Sequence, residues 1–271
     1  MAIITISRQF GSLGDEIAKA TAQALEYDYI GKTQISKAFS KLGFSPSYMD
    51  KFDEKKPSVW QTLMMHKELF AIYIRAVLYE LAAQKNVVIV GRGGQAILKD
   101  IPGTLHVRII APYAIRVNRS MEQTGYEDKH AQRLVRQSDR DSSGYLSTYF
   151  DTDWDESTQY DLIINTRAMN LNKSVELISC AVDSVMLEKS NHVSELLSDL
   201  ALNYRAKAIL MKVTGGTEWA DLEVDEGVAS LSGLVSSPAV KNDCEKALLN
   251  IEGIKSVNNN LGVQSDNKNV F

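Results

Sequence analysis

The residues best suited to chemistry lie close together near the start of the chain, in Arg8-Gln-Phe-Gly-Ser-Leu-Gly-Asp-Glu16. A β-branched apolar run, Ile3 to Ser7, precedes them. Ile17, Ala18, Thr21, Ala22 and Leu25 follow at helical spacing, so the segment predicts strand, glycine loop, helix. Such a junction suits an anion, because N–H groups at a helix N-terminus point outward and the helix dipole favours negative charge. Gly11 and Gly14 let backbone close around a phosphate, Leu13 lies between them, and the Ser12 hydroxyl can add a hydrogen bond. A standard phosphate loop reads G-x-x-x-x-G-K-[ST]. No lysine follows the last glycine here; Asp15 and Glu16 stand in that region, and two acids beside a phosphate repel it unless a metal lies between. Arg8 can replace the lysine with a planar, permanently charged fork. A Gly-x-x-Gly turn is equally a tight structural junction, and Arg8 tilts the balance toward phosphate.

Further candidates are arginines. Arg92 sits in Gly91-Arg-Gly-Gly94, directly after the apolar run Val87 to Val90. Arg116 and Arg119 lie in a helix opened by Pro112. Arg133, Arg136 and Arg140 recur at i, i+3 and i+7, forming one helix face that is either functional or merely solvated. His66, His106, His130 and His192 are scattered without metal-ligand spacing. Tyr145, Tyr149, Phe150 and Trp154 can stack on a base, or pack the charged helix against the core.

The elements that must position these residues alternate. Strands are predicted at Ile3–Ser7, Tyr27–Ile30, Val87–Val90, Leu105–Ala111 and Leu162–Asn165, with helices between them, including Trp60–Gln84, 122–150 and Leu171–Glu188. Strands apolar on both faces and alternating with helices imply a parallel sheet covered on both sides. After Lys189 the texture changes: a helix over 199–212, a hairpin over Leu222–Val235 turning at Glu226-Gly227, a helix from Ser237-Pro238 to Leu249, and a strand over Ile254–Val263. Composition is that of an ordinary globular protein, 44% hydrophobic and 24% charged. A net charge of -4 gives no footprint for nucleic acid. No apolar run reaches bilayer length and no signal peptide is evident. Cys180 and Cys244, isolated in apolar contexts, predict buried free thiols, and the chain is expected in the cytoplasm.

Ile4-Thr-Ile-Ser-Arg-Gln-Phe-Gly-Ser-Leu-Gly-Asp-Glu-Ile-Ala18 resembles the opening of the cytidylate kinase-like family, I-S-R-x-x-G-S-x-G-x-x-I. The resemblance continues at Val88-Ile-Val-Gly-Arg-Gly-Gly94, Arg116-Val-Asn-Arg119, Ser138-Asp-Arg-Asp141, Tyr145 and Tyr160-Asp-Leu-Ile-Ile-Asn-Thr166. It implies a P-loop NTPase-type parallel sheet with helices on both faces and a helical lid. It also implies phosphoryl transfer from ATP, with Mg²⁺, to a nucleoside monophosphate or similar small acceptor. Arg8, Gly11, Ser12, Leu13, Gly14, Asp15 and Glu16 then form the donor-phosphate region. Arg92 meets the acceptor, Arg116, Arg119 and Arg133 bind phosphate from the lid side, and Arg8, Arg136 and Arg140 act on the transferred charge. Three departures bear on catalysis: the missing lysine, Ser142 where the lid pattern D-x-x-R-x-x-Y has arginine, and Gly31 where the family has an acid.

The C-terminal segment resembles a BON domain, a small α-β-β-α-β module, through Leu222-Glu-Val-Asp-Glu-Gly-Val-Ala-Ser-Leu-Ser-Gly-Leu-Val235 and Gly253-Ile-Lys-Ser-Val-Asn-Asn-Asn-Leu261. The resemblance implies a protein partner or a hydrophobic ligand. Residues 204–271 carry more Asp and Glu than Lys and Arg, which disfavours anionic lipid. The expected organisation is a kinase-like domain over 1–194 and a BON-like domain over 195–271. The functional expectation is a phosphotransferase, with a catalytically weak nucleotide sensor as the other reading.

Overall fold

The computed structural model describes residues 2–41, 63–84, 86–186, 192–216 and 219–264. The chain divides into two compact units, residues 1–61 with 81–194 and residues 62–80 with 195–271. The sequence places all of 62–80 in the first domain; by contacts those residues group with the second unit.

In the first unit, five strands lie in the order β2-β3-β1-β4-β5, all parallel: β1 Ile3–Arg8, β2 Asp28–Ile30, β3 Val87–Val90, β4 Thr104–Ile110 and β5 Leu162–Asn165. Parallel strands need crossovers, and helices supply them. Between strands lie α1 (Gly14–Leu25), α2 (Lys32–Lys41), α3 (Leu63–Gln84, which by contacts falls mostly in the second unit), α4 (Gly94–Ile97), α5 (Tyr113–Thr124) and α6 (Asp128–Phe150), and α7 (Leu171–Met186) follows β5. The expected helix over 122–150 is interrupted, because Gly125 at φ 72 closes α5 with a left-handed cap. Trp60, expected at the start of α3, and Glu188, expected at the end of α7, lie outside the described residues.

One face of the sheet is wholly apolar. Ile4, Ile6, Val88, Val90, Leu105, Val107, Ile109 and Ile164 pack with Ile17, Ala18 and Ala22 of α1 and Ile178 and Val182 of α7. Alternation along each strand sends the intervening residues to the other face, and five of these are polar and buried: Thr5, Ser7, Thr104, His106 and Arg108. One sheet face is therefore a plain core, and the other carries a buried polar column.

In the second unit, α8 (Val193–Val213) precedes an antiparallel hairpin of β6 (Trp219–Asp225) and β7 (Val228–Val235). The turn falls at Glu226 and Gly227, both at positive φ (48 and 82). A Cβ on Gly227 would stand 2.6 Å from the Gly253 carbonyl, so glycine is needed there for space as well as for φ. Helix α9 (Pro238–Leu249) starts at Ser237, whose side chain accepts from the Val240 N–H, with proline at the first turn. The expected last strand is two short ones, β8 (Ser256–Asn259) and β9 (Gly262–Val263), both parallel to β7. The observed order is α-β-β-α-β-β. Both cysteines are free; Cys244 is buried as expected, but Cys180 is exposed on α7.

Candidate active site

The carboxyl ends of β3, β1 and β4 lie side by side, and each runs into a loop that turns toward a helix. In open parallel sheets this crevice is where ligands bind. The loop after β1 is fixed by short-range chemistry. Gln9 N–H donates to the Ile109 carbonyl, Ser12 N–H donates to the Gln9 carbonyl, and the Gln9 side chain accepts from Ala111 N–H at 3.2 Å. Gly11 (φ 76) and Leu13 (φ 66) adopt left-handed backbone, and Leu13 caps α1. A Cβ at Gly11 would stand 2.7 Å from the Arg116 carbonyl, and one at Gly14 would overlap the Arg8 stem. Both glycines are thus demanded by close approach: Gly11 under α5, Gly14 beneath Arg8.

A cavity of about 370 Å³ opens over this loop, lined by Arg8, Gly11, Leu13, Gly14, Asp15, Glu16, Arg119, Glu122 and Ser142 among others. That volume lies in the range of small-molecule sites. Arg8 Nε lies 3.1 Å from Asp15 Oδ1. Asp15 and Glu16 occupy the first turn of α1, where the helix dipole stabilises negative charge. Tyr29 sits by the same charges; burial pushes its hydroxyl above the ordinary value of 10.0, with Asp15 adding to the rise.

Arg119 donates to the Thr166 hydroxyl and carbonyl, both at 2.9 Å, and to the Gly11 carbonyl at 3.3 Å, and it lines the cavity. Thr166 in turn donates to the Ser12 carbonyl at 2.9 Å. The loop is therefore stitched to the end of β5 through Thr166, a buried residue that sequence reasoning quoted only as part of a motif.

The other arginines are placed differently. Arg116 is buried and forms a bidentate pair with Asp139, both bonds 2.8 Å, and also donates to the Ala111 carbonyl. It ties α6 to α5 and is not among the residues lining the cavity. Arg133, Arg136 and Arg140 are exposed; Arg133 and Arg140 bond to backbone carbonyls one turn back, and Arg136 lies over the Tyr113 ring at 5.3 Å. None of the three lines the cavity. The face of α6 that does so carries Ser138 and Ser142. Helix geometry explains this: Val135, Asp139 and Ser142 share one side, and an i, i+3, i+7 set offset by one residue faces elsewhere. Gly31 also has a local reason, since a Cβ there would meet the Tyr29 ring at 2.8 Å.

Arg92 lies at φ 56 in the loop after β3, is 3% exposed, and lines a second cavity with Ser7, Arg8, Gln95, Ser142, Tyr145 and Trp154. This cavity is only about 20 Å³, room for a water-sized group. Tyr145, Tyr149 and Trp154 are buried, so they pack α6 and the following segment against the sheet. Burial pushes the Tyr149 hydroxyl up to about 12.

Sequence reasoning missed Arg108. Its guanidinium is sandwiched by the Trp154 ring (4.5 Å) and the Tyr160 ring (5.2 Å), donates to the Tyr160 hydroxyl, and pairs with Asp155. Trp154 Nε1 donates to Ser7 Oγ at 2.9 Å, one residue before Arg8. Beside them the Thr5 hydroxyl and His106 Nδ1 share a hydrogen bond of 2.7 Å. Burial holds His106 below its ordinary value, partly countered by Asp161. The sequence signal was an arginine inside a mostly apolar strand that also carries Thr104 and His106.

Residues 3–168 match the model of the cytidylate kinase-like family. The chain belongs to this family. A cytidylate kinase from Methanosarcina barkeri is 24% identical over 186 residues, covering 68% of this chain and 97% of that protein. A uronate isomerase from Corynebacterium glutamicum is 33% identical over 91 residues, but that match spans 34% of this chain and only 18% of the isomerase. A crystal structure of an uncharacterized protein from Eubacterium ventriosum superposes with a TM-score of 0.55 at 22% identity, covering 68% of this chain and 99% of that one. The first unit is thus a nucleotide-binding, kinase-like α/β fold.

Mg²⁺ accompanies ATP in proteins of this kind. Among the described residues no group of three or more His, Cys, Asp or Glu is placed to hold a metal ion. Mg²⁺ is normally held by one or two carboxylates together with phosphate oxygens and water. Asp15, Glu16 and Glu122, on the cavity wall, are the carboxylates that could take that part. Among the described residues no helix is long and apolar enough to cross a membrane.

Proposed function

We propose that the chain is a phosphotransferase that moves the terminal phosphoryl group of ATP to a nucleoside monophosphate or a similar small acceptor. The observation that carries this is the cavity of about 370 Å³ over the β1–α1 loop, with Arg8 and Arg119 on its wall. Phosphoryl transfer asks a protein mainly for positioning and charge. Arg8 and the backbone N–H groups of Gly11 to Gly14 bind the donor phosphates, and Arg119 holds the loop closed from the α5 side. The acceptor reaches Arg92, with Ser7 and Gln95 beside it, only when α6, whose Ser142 and Tyr145 close the small space around them, moves away. A phosphate oxygen of the acceptor attacks the terminal phosphorus as the bond to the bridging oxygen breaks, and ADP leaves with that oxygen. Bound Mg²⁺ supplies charge neutralisation of the phosphate oxygens. Helix α6 is the lid, with Arg136 and Arg140 reaching the reacting groups only after it rotates or closes.

A second reading, a nucleotide sensor of weak activity, has its own support. Ser142 occupies the cavity-facing position of α6, and Arg136 and Arg140 face solvent. In either reading the kinase-like domain is residues 1–194. Residues 195–271 are a BON-like module that relays the nucleotide state to a protein partner or takes a hydrophobic ligand. Its support is the α-β-β-α-β-β succession, which contains the expected α-β-β-α-β order with its last strand in two pieces, and the Glu226-Gly227 hairpin. Coupled assays with ATP, Mg²⁺ and a panel of monophosphates, run beside calorimetric ATP binding, separate the two. Turnover establishes the phosphotransferase; binding without turnover establishes the sensor; no binding refutes both.

A further inference from the structure

The contact that stands out in the phosphate loop is the pairing of Arg8 with Asp15. Arg8 stands directly before the loop, its side chain 23% exposed, and its Nε lies 3.1 Å from a carboxylate oxygen of Asp15. Asp15 is the second residue of α1, at the end of the helix dipole that would face a bound phosphate. The carboxylate therefore satisfies the same two attractions, an arginine fork and a helix N-terminus, that a phosphate would.

The rest of the wall sharpens the point. Two arginines, Arg8 and Arg119, face three carboxylates, Asp15, Glu16 and Glu122. Arg119 already spends donors on Thr166 and on Gly11. A bare polyphosphate entering this cavity meets net negative charge and an arginine that already holds an anion. A polyphosphate arriving with a divalent cation meets a different site, because Asp15 then has a stronger partner than Arg8.

We infer that Asp15 is a specificity-determining residue that occupies Arg8 in place of phosphate, so that the loop admits nucleoside triphosphate as its divalent-metal complex and discriminates against the free anion. This rests on the reading of the cavity as a nucleotide site. In the loaded state Asp15 turns from Arg8 toward the cation, and Arg8 is released to the phosphate oxygens. No covalent step is involved. Asp15 thus discriminates where a loop lysine would not, since a lysine attracts metal-free and metal-bound phosphate alike.

The test is calorimetric titration of the full chain with ATP, with excess Mg²⁺ or with excess EDTA, for the parent protein, Asp15→Asn and Glu16→Gln. The parent is expected to bind at least about tenfold more weakly in EDTA. That figure corresponds to one exposed ion pair that must be broken plus one close like charge. Asp15→Asn is expected to bring the two conditions within about threefold by strengthening metal-free binding. Glu16→Gln removes the same charge without touching Arg8 and is expected to keep most of the gap. The inference is overturned if ATP binds the parent equally with and without metal, if Asp15→Asn leaves the ratio unchanged, or if Glu16→Gln closes the gap as fully. If none of the three proteins binds ATP in either condition while all melt cooperatively, the nucleotide-site reading itself fails.

Discussion

Replacing Asp139 by asparagine tests whether Arg116 is an anchor for α6 or a ligand for phosphate. The Arg116 side chain is 5% exposed and its partner 30%, and the two bonds between them are both 2.8 Å. Asparagine keeps the shape and one acceptor but leaves the guanidinium buried without its counter-charge. An exposed pair is worth up to about 1 kcal/mol, whereas removing one partner of a fully buried pair costs about 3–5 kcal/mol. With Asp139 partly open to water, a loss of about 2 kcal/mol is expected. At about 2–4 °C per kcal/mol for a domain of this size, the melting temperature should fall by about 4–8 °C. A double-mutant cycle with Arg116→Met, read by urea denaturation, should give a coupling of about 1–2 kcal/mol. Hydrogen exchange should place the new opening in residues 128–150. A fall below about 1 °C with additive single and double mutants would refute the assignment of Arg116 to anchoring.

Three other outcomes follow from single features. His106 is held below its ordinary value of 6.5 by burial, so the unfolded chain takes up its proton first. Stability should be level above about pH 6.5 and fall as the pH drops toward the folded value; His106→Gln should flatten that slope between pH 7 and 5.5 in urea titrations. Gly14→Ala places a methyl against the Arg8 stem, 2.7 Å from its Cγ, and should lower calorimetric ATP affinity by more than tenfold at a stability cost of about 1–3 kcal/mol. Asp199 is held above its ordinary value of 3.8 by burial and by Asp225, Glu226 and Glu195, so its ionised form opposes folding. Asp199→Asn should raise the melting temperature at pH 7, with the gain shrinking as the pH approaches about 4.

Much of the fold was legible because local signals agree with global pattern. Val87–Val90 is apolar on both faces and Ile3–Ser7 is buried on both, as parallel strands in a covered sheet must be, and the glycines after them mark where strand yields to helix. Glu226-Gly227 and Ser237-Pro238 act within a few residues, so turn and cap could be read directly. The limits have equally local causes. Gly125, a single glycine in a polar stretch, splits what periodicity alone joins.

At the site, the loop that positions Arg8, Gly11 and Gly14 was readable because strand, loop and helix are contiguous. The arginines of 116–140 were not, because their roles depend on rotation about two helix axes and on partners far along the chain. Arg116 finds Asp139 23 residues later, and Arg119 finds Thr166 at a separation of 47. Arg108 was invisible for the same reason: its aromatic sandwich is assembled from Trp154 and Tyr160, and only the folded sheet brings them over β4.

The central claim is that Arg8, standing before the loop, carries the phosphate charge that a loop lysine would otherwise carry. Calorimetric titration of Arg8→Ala with ATP and Mg²⁺ tests it most directly, with thermal melting to verify the fold. Loss of affinity by about a hundredfold or more is the predicted result, the size of two charge-assisted bonds. An unchanged dissociation constant in a folded protein would contradict it.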